Sequence, residues 1–214
     1  MKLTLYYAPR TCALVPYVAL TEAGADFDVQ NVNTQTDQNR TPEFLSLNPK
    51  HKVPVLVIDG EPLTENVAIQ IWIARRFPKA RLLPTDSKAE IKAISLMAWC
   101  ASGIHPHLTP NAKPGQYCDL PDSEESVKRL AKKLLFENFA IADGLLAGRE
   151  WFFDHFTAVD AYFFWCFRRA ILFKLDVSAF RNCTAHFERM KLRASVQKVI
   201  AYETQVLDAF ARAA

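Results

Sequence analysis

Two short stretches hold the side chains best suited to chemistry. In the first, Thr11 and Cys12 follow the apolar run Leu3-Thr4-Leu5-Tyr6-Tyr7 and a turn at Ala8-Pro9, and Cys12 to Ala23 carries apolar residues at helical spacing. A thiol placed just after a strand and near a helix N-terminus meets free backbone N–H groups and the positive end of the helix dipole. Both favour the thiolate. Arg10 adds positive charge nearby. Thr11 and Tyr6 are rival activators, because a hydroxyl donating to a sulfur anion does the same electrostatic work. The plain alternative for Cys12 is a small buried hydrophobe. A free thiol has a pKa of about 8.5, so lowering it by about two units takes ~2.7 kcal/mol of anion stabilisation. One charge-assisted hydrogen bond and a helix dipole supply that much.

The second stretch runs Asn48-Pro49-Lys50-His51-Lys52-Val53-Pro54-Val55-Leu56 and on to Leu63-Thr64-Glu65-Asn66. Val55 to Ile58 reads as a strand closed by the hairpin pair Asp59-Gly60. Thr64-Glu65-Asn66 then precedes the apolar run that opens a helix, which puts a carboxylate and an amide where free N–H groups gather. A peptide-like ligand could pair with Val53 in strand fashion and send its charged end to Glu65 and Asn66. An X–Pro bond is cis in about 5–6 % of folded cases, so the sequence leaves the Val53–Pro54 isomer open. A cis bond would turn the Val53 N–H and C=O toward such a ligand.

A third group, Ile104-His105-Pro106-His107, follows a helical run containing Met97 and Trp99. Cys100, His105, His107 and Cys118 are acceptable zinc-ligand types, but their spacing fits no usual structural pattern. No metal is expected. Thr157-Ala158-Val159-Asp160 has the form of a capping box with Asp at its end, a folding signal and not a catalytic one. The dense aromatic run from Trp151 to Phe167 reads mostly as core. The basic stretches around Lys128 and Arg189 read as solvated helix faces.

The elements that must position these residues follow β-α-β-α-β-β-α over about 80 residues, after which strand signals stop and the chain is helical. Pro16 is comfortable only in a first turn, so regular helix is expected to start nearer Leu14. Phe27 to Val32 reads as the second strand, Asn33 to Arg40 as loop, and Pro84-Thr85-Asp86-Ser87 as a linker. Two domains are therefore expected, 1–80 and 87–214. The 214 residues suffice for a substantial core, and half of them are hydrophobic. The net charge of +3 is too small to imply nucleic acid or an anionic membrane. No apolar run is long enough to span a bilayer, and the N-terminus lacks signal-peptide features. Five cysteines without a Cys-x-x-Cys pair suggest a reducing cytoplasm and mostly free thiols.

The element order, with Val-Pro after the second helix, resembles the thioredoxin-like fold. With an all-helical second half, the whole chain resembles the soluble glutathione S-transferases, the bacterial beta class in particular. The matching pieces are Tyr6 to Pro16, Asn48 to Leu56, Leu63 to Ile69, Ile104 to Pro106 and Asp154 to Tyr162, in that order. The resemblance implies a cytoplasmic homodimer that conjugates glutathione, its co-substrate, to small hydrophobic electrophiles in detoxification. The first domain would bind glutathione, and the helical domain would contribute the acceptor-substrate pocket. Pro54 would be the cis proline, Val53 would pair through its backbone with the cysteinyl part of glutathione, Lys52 would also belong to the glutathione-binding set, and Glu65 with Asn66 would hold the γ-glutamyl end. Cys12 would lie beside the glutathione sulfur and could form a mixed disulfide with it, while His105 would reach the site from the helical domain. Thiol–disulfide exchange or reductive dehalogenation through Cys12 is the second reading. A non-catalytic binding or regulatory protein of the same fold is the third. Four positions depart from the family pattern: Asn66 replaces Ser or Gly, His51 a glycine, Ala98 a polar residue, and Thr36-Asp37 stands where a lysine is common.

Overall fold

The computed structural model describes residues 1–212. They divide into two compact units, one comprising Met1–Leu83 together with the C-terminal segment from Lys191 onward, the other Pro84–Met190.

In the first unit, β1 (Leu3–Tyr7) lies between β2 (Asp28–Asn31), parallel to it, and β3 (Val55–Ile58), antiparallel. Strand β4 (Glu61–Thr64) completes the order β2-β1-β3-β4. Asp59 and Gly60 join β3 to β4 with positive φ at both residues (49° and 96°), the twist that a two-residue hairpin needs. Alternation along β1 buries Leu3, Leu5 and Tyr7 on one face. On that unit's helices, α1 (Leu14–Glu22) is apolar on all sides and buried from Leu14 to Leu20. It packs against α3 (Asn66–Arg76) and, unexpectedly, against α9 (Ala194–Arg212). Helix α2 (Pro42–Leu47) sets Phe44 into a small cluster with Val32 and Val55. This is a thioredoxin-like arrangement.

The last helix departs from the expected division at 87–214, since α9 closes the first unit. The reason is a set of polar contacts between distant segments. Arg193 grips Glu22 at the end of α1 with two N–H···O bonds (2.9 and 2.7 Å), and the Ser195 hydroxyl also donates to Glu22. The Tyr202 hydroxyl donates to Asn31 Oδ1 at 3.1 Å, and the Tyr202 ring lies against Tyr7 and Tyr17.

Partial burial alone would raise the Glu22 carboxyl, but the Arg193 and Ser195 hydrogen bonds and the Arg193 charge outweigh it and hold it below its ordinary value of 4.5. A carboxylate so lowered contributes stability that is full above the ordinary value and is lost as pH falls through the folded one. Glu22→Gln is therefore expected to lower the urea midpoint at about pH 7, with the gap from wild type closing by about pH 3. An equal gap at both pH values would contradict this account.

The second unit is helical: α4 (Ser87–Trp99), α5 (His105–Ala112), α6 (Glu124–Leu145), α7 (Ala158–Leu172) and α8 (Arg181–Lys191). Helix α7 is buried almost throughout, with Phe163, Phe164 and Phe167 fully enclosed. Phe139 of α6 meets Phe163, Phe167 and Phe180 edge-on. The capping box stands as expected, Asp160 accepting from the Thr157 N–H at 2.8 Å. Asp143 does similar work for α8, accepting from the backbone N–H groups of Asn182 (2.8 Å) and Cys183 (2.9 Å). No helix among the described residues is long and apolar enough to cross a membrane.

Candidate active site

The segment between β1 and α1 is shaped by Pro16. The Tyr17 N–H reaches the Ala13 carbonyl at 3.4 Å in the i→i+4 pattern of a helix. One residue earlier that bond would need an N–H at position 16, which proline lacks. Regular helix thus begins at Leu14, as expected, and Thr11 to Ala13 form an irregular turn before it. The Thr11 hydroxyl donates to the Ala8 carbonyl (2.7 Å) and accepts from the Ala13 N–H (3.2 Å). Through these two bonds Thr11 braces the turn ahead of Cys12.

Cys12 is buried, and its thiol donates to the Val53 carbonyl oxygen at 3.6 Å. The first and second stretches thus meet at the sulfur. The Val53–Pro54 bond is cis. The loop leading to it is held by Asn48, fully buried, whose Nδ2 donates to the Lys52 carbonyl (2.7 Å) and whose Oδ1 accepts from the Lys50 N–H (3.1 Å). Asn39 donates to the carbonyl of His51, which carries φ 48°, a conformation that glycine adopts without steric cost.

Glu65 stands at the N-cap of α3 with φ 70°, its carboxylate mostly exposed and paired with the Lys50 ammonium, which also donates to Thr64 Oγ1 at 2.9 Å. Asn66 behaves differently from its neighbour. Its side chain points into the protein, where Nδ2 donates to the Cys12 carbonyl at 2.8 Å. The expectation that the Asn66 amide holds a ligand is therefore replaced by an internal contact; its backbone N–H still belongs to the first turn of α3.

Tyr6 and Tyr7 point to opposite faces of the sheet. Tyr6 packs edge-on against Phe44 (5.9 Å between ring centroids). With Gln30, Asn31 and Thr41 it lines a cavity of about 380 Å³ beside α2. That cavity contains neither Cys12, Val53, Glu65 nor Asn66. Tyr7 is buried, and its hydroxyl donates to Glu203 Oε2 at 3.3 Å. The same oxygen accepts from the Arg10 N–H at 2.6 Å, fixing the turn before Cys12, where Arg10 has φ 62°. Glu203, on α9, carried no motif that could have identified it in advance.

In the helical unit, a π-helical segment, Cys100–Ile104, links α4 to α5. A Cβ at Gly103 would come within 2.5 Å of the Trp99 ring, whose Nε1 donates to Asn138 Oδ1 at 2.7 Å. Glycine is needed there for close approach. His105 opens α5, with Pro106 tolerated in the first turn, and its ring lies 4.4 Å from that of Trp165. The five cysteines carry no disulfide.

Comparison with known proteins bears on this constellation. Residues 1–75 match the family model described as glutathione S-transferase, N-terminal domain. Over 205 residues the sequence is 32 % identical to glutathione S-transferase GstA of Escherichia coli O157:H7, covering 93 % of this chain and 98 % of that protein. The chain belongs to the glutathione S-transferase family. Among solved structures, the transferase is similar to the beta-class glutathione S-transferase of Sphingomonas chungbukensis, with a TM-score of 0.82 and 31 % identity, covering 94 % of this chain and 98 % of that one. It is similar also to a sphingomonad glutathione S-transferase complexed with glutathione, with a TM-score of 0.83, 28 % identity and the same coverage of 94 % and 98 %. The site residues of the transferase that the sequence pattern alone overlooked, Asn39, Gln70 and Glu203, act on backbone groups or on other buried side chains. No local spacing marks them.

Proposed function

We propose that the transferase binds glutathione as an extended tripeptide alongside Val53 and directs its sulfur at small, apolar electrophiles. The observation that carries this reading is the Cys12 thiol set 3.6 Å from the Val53 carbonyl. Sulfur chemistry and a strand-like backbone edge share one place, as a cysteinyl peptide requires. Pro54 shapes that edge, and Lys52 borders it. Glu65 is assigned the ligand's α-amine, whose ammonium would take the place now held by that of Lys50. The ligand's α-carboxylate is assigned to the Asn66 N–H in the first turn of α3, where anions are favoured. Cys12 serves as hydrogen-bond donor to the glutathione thiolate. The helical unit, with His105, is assigned to the acceptor. We take the working form to be a cytoplasmic homodimer acting in detoxification.

A second reading is favoured by one feature: the side chain that reaches the Val53 backbone edge from the turn is a thiol. A Cys12 thiolate attacking the glutathionyl sulfur of a mixed disulfide between glutathione and another thiol would form a Cys12–glutathione disulfide and release that other thiol as its thiolate. A second glutathione would then restore Cys12 and leave as the disulfide.

Calorimetric titration with reduced glutathione, together with retention on immobilised glutathione, tests the common core of both readings. Saturable one-site binding is expected. Absence of heat and of retention would reject both and leave the non-catalytic alternative.

A further inference from the structure

Asn66 stands where the sequence pattern expects a small residue, and its amide does something a serine or glycine there could not do. We infer that Asn66 is a positioning residue for the sulfur chemistry, acting on Cys12 through the Cys12 carbonyl; the inference rests on the second reading above, in which Cys12 itself reacts as the thiolate.

The Cys12 carbonyl lacks its usual helical donor. In a helix the Cys12 carbonyl would accept from the N–H four residues on, but that residue is Pro16. The Val15 N–H makes a tighter bond to it at 3.1 Å, which leaves its second lone pair to find a donor elsewhere. Asn66 Nδ2 supplies that donor at 2.8 Å, across 54 residues of sequence. The amide is itself oriented from behind. Gln70, one turn along α3 and fully buried, donates from Nε2 to Asn66 Oδ1 at 3.3 Å, so the NH2 end of Asn66 faces Cys12. Gln70 Oε1 has no hydrogen-bond partner among the described residues.

The effect on sulfur follows from electrostatics. A carbonyl oxygen on the same residue presents partial negative charge to the thiolate. A donor on that oxygen offsets part of this charge and fixes the orientation of the 12–13 peptide plane beside the sulfur. Both favour the ionised thiol in one geometry. Thr11, Glu203 and Asn66 thus hold the turn at Ala8, Arg10 and Cys12, and of these contacts the one from Asn66 is made to the cysteine itself.

The test is site-resolved alkylation of Cys12 by iodoacetamide, followed by peptide mass spectrometry across pH without glutathione. Cys118, a partly exposed free thiol of the helical unit, serves as internal reference. Asn66→Ser is expected to slow Cys12 alkylation near neutral pH by about threefold to tenfold, the scale of one lost hydrogen bond, and to move its pH profile upward. Adding Pro16→Ala to that variant restores an N–H at position 16 and is expected to recover most of the rate. A merely structural role would move the melting temperature without that rescue of the pH profile.

Unchanged Cys12 reactivity in Asn66→Ser overturns the inference. So does a loss of glutathione affinity with reactivity intact, which would make the Asn66 side chain a ligand contact. If wild-type Cys12 reacts no faster than an ordinary exposed thiol, the reading of Cys12 fails and carries the inference with it. That failure is told apart because it appears before any substitution is made.

Discussion

Cys12→Ser is expected to abolish the disulfide adduct with glutathione completely while leaving the fold intact. The substitution is nearly isosteric, and a serine hydroxyl can still donate to the Val53 carbonyl that the thiol now faces at 3.6 Å. Stability should therefore change by no more than about 1 kcal/mol. Chemistry changes far more, because oxygen cannot take the place of sulfur in a disulfide. After incubation with oxidised glutathione, the intact mass of the wild type should rise by one glutathionyl group, and that of Cys12→Ser should not. Exchange activity should vanish with the adduct. Conjugation is expected to fall less, by about tenfold, since the hydroxyl still stabilises a glutathione thiolate by hydrogen bonding. An adduct that persists on the variant, or maps to Cys118, would remove Cys12 from the role assigned to it. Equal losses of conjugation and exchange would instead place Cys12 as an essential group in both reactions.

Asp160→Ala is expected to destabilise the helical unit by about 3–5 kcal/mol, the cost of stripping the acceptor from several buried donors. Asp160 has no solvent exposure, and neither does Thr157. One carboxylate oxygen accepts from the Thr157 N–H (2.8 Å) and hydroxyl (3.0 Å). The other takes the Phe152 N–H at 3.1 Å and lies 3.1 Å from His186 Nε2. It therefore joins the start of α7, the aromatic segment before it and α8. His186 sits among Trp151, Phe152 and Phe163, and its Nδ1 has no partner among the described residues. Nothing there could replace the lost carboxylate. Thermal unfolding should begin roughly 10 °C lower, in a transition that splits if the two units melt separately. Thr157→Val, which removes one hydroxyl and keeps the volume, should cost only about 1 kcal/mol. Equal effects of the two substitutions would show that the capping hydroxyl, and not the wider network, carries the stability.

These residues also mark how far reasoning from the chain alone could reach. The hairpin at Asp59-Gly60, the start of α1 at Leu14 and the capping box at Thr157 were all legible, because each depends on dihedral preference or on donors within four residues. The order of strands and helices followed from periodicity, and the family resemblance from motifs in register. Cys12, Val53 and Glu65 could be singled out for the same reason: each lies in a short run whose local chemistry is unusual.

What lay beyond the sequence depends on partners far along the chain. Glu203 meets Arg10 across 193 residues, and Arg193 meets Glu22 across 171, so the assignment of α9 to the first unit waited on the tertiary structure. The Val53–Pro54 isomer had two local solutions of similar energy, and only the folded surroundings select one. Asn66 shows the division most sharply. Sequence placed it correctly at the first turn of a helix, beside an acidic residue, where either an inward or an outward amide satisfies local rules. Its direction was decided by a carbonyl that Pro16 leaves without a helical donor and by Gln70 one turn behind it. Local chemistry determined which elements form and where they begin. The pairing of buried donors and acceptors, a condition on the whole packed unit, decided which way the side chains at the site face.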